Sequence, residues 1–109
     1  MNYEEIQSQL SSASSGKGTK MLGTRDALDI LTAGEEINLF LVSVEVYELR
    51  NELEIPRIDI SLYNVCNEGK VYSLPLNKKK IACREAFNDM LKLIEDEQKL
   101  FGFRLWLED

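Results

Sequence analysis

The first apolar spacing in the chain is helical. Tyr3, Ile6 and Leu10 recur at intervals of three and four residues and predict a short helix from Asn2 to Leu10. A helix of that length is marginal alone in water, so it must dock on something larger. Residues 11–20 (SSASSGKGTK) break the pattern with serine and glycine and predict a flexible loop. Thr24 then has the character of an N-cap, Ala27, Leu28 and Leu31 follow at helical spacing, and Gly34 supplies a stop, which predicts a second short helix.

From Ile37 the period becomes that of a strand. Phe40, Val42, Val44 and Val46 fall on one side and Ile37, Leu39 and Leu41 on the other. The first half of this strand is apolar on both faces, which predicts a central position, and its second half turns polar on one face at Ser43 and Glu45. After Pro56, Ile58, Ile60 and Leu62 alternate with Arg57, Asp59 and Ser61, predicting a second strand. Asn67, Glu68 and Gly69 read as a turn into a third, carrying Tyr72, Leu74 and Leu76 on one face. Pro75 cannot donate to a ladder, which confines that strand to an edge or places the proline in its last residues. Cys83, Ala86, Phe87, Met90, Leu91 and Ile94 then mark one face of a long amphipathic helix. The polar run 95–99 closes it. From Leu100 to Leu107 the chain alternates again, with Phe101, Phe103, Leu105 and Leu107 opposite Gly102, Arg104 and Trp106.

These elements predict a single α+β domain over residues 1–109. Its antiparallel sheet has about four strands, a three-strand meander plus the C-terminal strand beside the long central one. The long helix packs on it, with two short N-terminal helices. A C-terminal strand at an edge can pair with another chain, which predicts a homodimer through that strand or strand addition to a partner.

Composition narrows the class. A domain of 109 residues, 44% hydrophobic, buries about two-thirds of its unfolded surface and needs no metal or disulfide to fold. Cys66 and Cys83 are too few for a disulfide framework and read as reduced thiols, Cys83 as a buried apolar residue. No apolar run is long enough to cross a bilayer, and the acidic start of the chain is unlike a signal peptide, so the expected location is the cytoplasm of the producing cell or of a host. The net charge of −6 opposes non-specific nucleic-acid binding. The acids concentrate in Glu35, Glu36, Glu45, Glu48, Glu52, Glu54, Asp59 and Glu68, against Arg50 and Arg57. Lys70, Lys78, Lys79 and Lys80 follow as a positive set. An acidic face can steer a basic partner, or can simply be a solvated surface.

Catalytic chemistry finds little to work with. Histidine is absent, which removes the commonest general base, the usual partner of a nucleophilic Ser or Cys, and the usual nitrogen ligand of zinc. Asp89, Asp96 and Glu97 could in principle hold a cation, but they lie on the polar side of the long helix, where charge is expected. Gly16, Lys17, Gly18 and Thr19 match the tail of a phosphate-binding loop, with Lys20 following. The leading glycine is missing, the residue after Lys17 is glycine, and no strand precedes it. Asn77 as a helix cap would place Lys78, Lys79 and Lys80 in a first turn, where acids are favoured, and so make an anion site. The plainer alternative starts the helix at Ile81 or later and leaves the lysines in solvent.

The expected function is therefore non-catalytic: an acidic protein, without cofactor or metal, that occupies a protein partner with a basic surface. An inhibitor or immunity protein of bacterial or phage origin has this profile. Glu45, Glu48, Glu52 and Glu54 are the expected charged contacts. Arg104 and Trp106, on the face opposite the phenylalanines, are the expected anchor, with a place in the core the alternative for Trp106. The alternative is an oligomeric protein that holds a phosphorylated small molecule or nucleotide with Lys17, Lys20, Lys78, Lys79 and Lys80.

Overall fold

Helix α1, Tyr3–Ser14, opens the chain, with the Asn2 carboxamide accepting from the Glu5 N–H at 2.8 Å as its cap. The computed structural model describes residues 1–65, 71 and 73–109. Helix α2, Thr24–Glu36, follows, then strand β1, Phe40–Arg50, strand β2, Leu53–Pro56, helix α3, Leu76–Ile94, and strand β3, Leu100–Glu108. The sheet has three strands in the order β2-β1-β3, both neighbours antiparallel to β1. The doubly apolar β1 is thus central, and the C-terminal strand lies beside it.

The register carries a bulge. Leu41 pairs with Leu107 but Ser43 with Trp106, so Val42 is the extra residue. The bulge corrects the simple alternation: Leu41 joins the same face as Val44 and Val46. That face meets Phe101, Phe103, Leu105 and Leu107 of β3. The core forms there. Ala27, Ile30 and Leu31 of α2 and Cys83, Phe87, Met90 and Ile94 of α3 are all buried in it, with Leu10 and Ala13 of α1 alongside. Phe87 meets Phe103 edge to face at 6.0 Å. Gly34, inside α2 rather than beyond its end, has Leu107 and Leu10 so near that a β-carbon would lie 2.9 Å from Leu107.

Three expected elements change. First, Arg57–Ser61 form a turn, not a strand: the Ser61 N–H donates to the Arg57 carbonyl at 3.1 Å. The edge resumes only at Leu62, which exchanges hydrogen bonds with Val44. The Ser61 hydroxyl explains the gap, because it accepts the Val46 N–H at 2.9 Å in place of a strand carbonyl. Ile58 is left exposed. Second, Ser73–Pro75 are turn and α3 begins at Leu76, so no strand forms there; Cys66, the turn 67–69, Lys70 and Tyr72 lie outside the described residues. Third, residues 11–14 belong to α1, and Gly16, Thr19 and Leu22 are hydrogen-bonded to β3 at Trp106, Leu105 and Phe103.

The β1–β2 hairpin turns on Asn51 (φ 52°) and Glu52 (φ 64°), both left-handed, with Arg50 paired to Leu53. A two-residue turn of this hand favours Asn followed by Gly. Glu52 is therefore strained. Glu52→Gly is expected to raise stability by about 1 kcal/mol, read as a higher urea midpoint at unchanged slope. A lower midpoint would contradict the turn.

Candidate binding face

Alternation along β1 and β3 builds a second sheet face from the residues that point away from the core. Ser43 pairs with Trp106, Glu45 with Arg104, Tyr47 with Gly102 and Leu49 with Leu100. Apart from Gly102, which Met21 covers, these residues are half-buried, or exposed in the case of Leu100. Tyr63, from the chain after the broken edge, adds a further ring. With Ser43, Glu45 and Trp106 it lines an open pocket of about 190 Å³.

The polar groups here are oriented. Tyr47 donates its hydroxyl to Glu45 Oε1 at 2.8 Å, and this bond to a carboxylate holds the phenol above its usual range. Arg104 Nη1 stands 3.8 Å from the same oxygen, while its Nε and Nη2 donate to the carbonyls of Thr19 (2.9 Å) and Lys17 (3.1 Å). The Arg104 guanidinium also lies over the Trp106 ring, 5.1 Å from its centroid. Trp106 Nε1 donates to the Gly16 carbonyl at 3.2 Å, and Gly18 (φ 77°) sits against the indole. Arg104 and Trp106 thus clamp residues 16–19 on the edge of this face.

That clamp bears on two expectations. Thr19 N–H donates to the Leu105 carbonyl, Leu105 N–H to Thr19 Oγ1, and Leu22 and Phe103 exchange both backbone bonds. At Phe103 and Leu105 the outer edge of β3 is therefore taken by the chain's own segment, which leaves no ladder there for a second copy. Gly18 and Lys20 N–H groups donate to Ser12 and to Gln9. Three donors of the would-be phosphate cradle, the N–H groups of Gly18, Thr19 and Lys20, are thus spent internally. Lys17 and Lys20 point their exposed side chains off this segment, whereas Lys78, Lys79 and Lys80 belong to the start of α3.

At that helix Pro75, not Asn77, occupies the cap position, and the alternative of a later start is overturned. Lys78 and Lys80 are exposed, but Lys79 is buried with its ammonium 5.6 Å from the centre of the Phe40 ring. Its long aliphatic stem serves as core.

The expected acidic contacts are dispersed. Glu45 lies on the open face and Glu54, paired with Leu49, on the same side; Glu52 is at the exposed hairpin tip. Glu48 faces the other way and is buried, 3.1 Å from Lys99 Nζ and 3.6 Å from both Arg57 and Arg50. It closes the end of the core and is not a surface contact. Arg57 is the hub: it meets Asp59 at 3.0 Å and Glu97 at 2.9 Å and lies over Phe101. Hydrogen bonds from Arg57 hold the Asp59 and Glu97 carboxyls below their usual range, and hydrogen bonds to Glu48 and Glu97 push Lys99 up.

A depressed carboxyl stabilises the fold while ionised, so this contribution is present above the ordinary carboxylate range and lost as pH falls through the depressed values. The melting temperature is expected to fall on acidification below about pH 4, with a shallower slope in Asp59→Asn/Glu97→Gln. Parallel acid limbs in melting curves of the two proteins would show that the pairs do not bind protons as described.

Among the described residues no three His, Cys, Asp or Glu side chains gather as metal ligands, and no helix is long and apolar enough to cross a membrane. Fold and face together define an α+β domain whose sheet is buried under helices on one side and presents aromatic and charged side chains on the other. Comparison of the chain with protein-family models, with curated proteins and with solved structures finds no match.

Proposed function

We propose that this chain is a non-catalytic acidic binding protein that acts by occupying the surface of another protein, as an inhibitor or immunity protein of a bacterium or phage does. The observation that carries this reading is the open sheet face. Trp106, Tyr47, Tyr63, Leu49 and Leu100 stand there around the Glu45–Arg104 pair. Tryptophan, tyrosine and arginine are the side chains that dominate protein interfaces. The hairpin supports it: Glu52 is kept where glycine fits better, beside Glu54, and strain of this kind is commonest at functional places. Net charge of −6 suits a basic partner and fast, salt-sensitive association.

The test is affinity capture from the cells that make the protein or from their host, followed by titration of the captured protein. Tyr63→Ala/Leu100→Ala changes two exposed residues of the face and spares the core. It is expected to weaken binding about 100-fold, while Glu85→Ala on the exposed side of α3 leaves it unchanged. Equal affinity of the face variant and the wild type would remove this reading.

A further inference from the structure

We infer that the pocket of Ser43, Glu45, Tyr63 and Trp106 receives an arginine side chain of the partner, an inference that rests on the protein-binding reading above. Three observations converge on a cation. The pocket has two aromatic walls, Trp106 and the exposed Tyr63, and one carboxylate, Glu45, whose side chain keeps 30% of its surface in solvent. Glu45 Oε1 is occupied by the Tyr47 hydroxyl, but among the described residues Oε2 accepts no hydrogen bond. The neighbouring Arg104 does not fill this need, because its Nε and Nη2 are bonded to the carbonyls of Thr19 and Lys17 and its Nη1 stays 3.8 Å from Oε1.

A carboxylate beside two aromatic side chains suits a guanidinium, which packs on rings and donates in its own plane. The size, about 190 Å³, admits one side chain rather than a folded ligand. The acidity of the chain supplies the long-range attraction, and the occupant is a residue of a basic protein.

Trp106 is the chain's one tryptophan, so its emission reports on the pocket directly. The probe is a short peptide, capped at both ends, whose one charged side chain is an arginine, set against the same peptide with citrulline, its neutral near-isostere. The arginine peptide is expected to give a saturable change in emission that weakens with salt, and the citrulline peptide about tenfold weaker binding. Glu45→Gln is expected to weaken the arginine peptide and the captured partner alike by about tenfold. Tyr63→Leu, which keeps the carboxylate, should weaken both as well. Equal responses to arginine and citrulline, or peptide binding indifferent to Glu45→Gln, overturn the inference. If partner binding requires Tyr63 and Leu100 but not the Glu45 charge, the cation pocket fails and the binding face stands. If the arginine peptide binds through Glu45 while the captured partner ignores the face, the assignment to a protein-borne arginine falls with the reading it rests on.

Discussion

Truncating Phe103 to alanine is expected to cost about 3–5 kcal/mol, enough to unfold a domain of this size at ordinary temperature or to bring it near that point. Phe103 is fully buried at the middle of β3, opposite Val46 and against the Phe87 ring. The backbone around it cannot close on the cavity. Its N–H and C=O are bonded to Leu22 on one side, at 2.8 Å each, and β1 holds the other. A site unable to relax belongs at the upper end of the range for large-to-small changes. Phe101→Ala is the comparison: it is 8% exposed at the rim, over which Arg57 lies, and should cost measurably less. Urea unfolding of the two variants decides the matter, and a Phe103→Ala loss smaller than that of Phe101→Ala would misplace the centre of the core.

That centre was legible in the sequence. The spacing from Cys83 to Ile94 marks the buried stripe of α3, and the alternation of Phe101, Phe103, Leu105 and Leu107 marks the buried face of β3. What could not be read is where hydrogen bonds replace the pattern that hydropathy suggests. Ile58, Ile60 and Leu62 alternate as a strand does, yet one serine hydroxyl takes a ladder position at Val46 and the intervening residues coil into a turn. For residues 77–80 the pattern leaves two readings, a helix capped at Asn77 or a solvated linker; the helix begins at Leu76, with the stem of Lys79 buried against Phe40. The serine-rich segment has the composition of a flexible loop, and its anchors, Gln9, Arg104, Leu105 and Trp106, are mostly distant in sequence.

The candidate site was half legible for a similar reason. Alternation already separates Glu45 from Glu48, although charge alone does not; the same parity that puts Glu45 on the open face puts Tyr47 there. Tyr63 could not have been found this way, since its position depends on the interrupted edge rather than on any period. Trp106 and Arg104 fell on the correct face because β3 alternates without a bulge through them. Their clamping of residues 16–19 rests on contacts across the whole length of the chain, and the glycine that makes it possible carries no signal beyond being a glycine.

Gly18→Ala tests that clamp. At φ 77° an L-residue is strained by about 1–2 kcal/mol, and the added β-carbon would fall 2.5 Å from Trp106 Cε2 and 2.9 Å from Nε1, a distance that atoms do not tolerate. The indole must move, and its bond to the Gly16 carbonyl and its stacking with Arg104 move with it. The expected total is about 2–5 kcal/mol once overpacking is added to backbone strain. Gly16→Ala supplies the control: its φ of 89° carries the same backbone cost, but nothing lies within 4 Å of its β-carbon. The difference between the two variants is therefore the collision with Trp106. In a Trp106→Leu background the collision is absent, and Gly18→Ala should then cost no more than Gly16→Ala, a coupling a double-mutant cycle measures. Because the displaced ring is a wall of the proposed arginine pocket, Gly18→Ala should also shift the Trp106 emission and weaken the arginine peptide, whereas Gly16→Ala should do neither. Equal stabilities of the two alanine variants with an unchanged indole signal would mean that Gly18 does not set the position of Trp106.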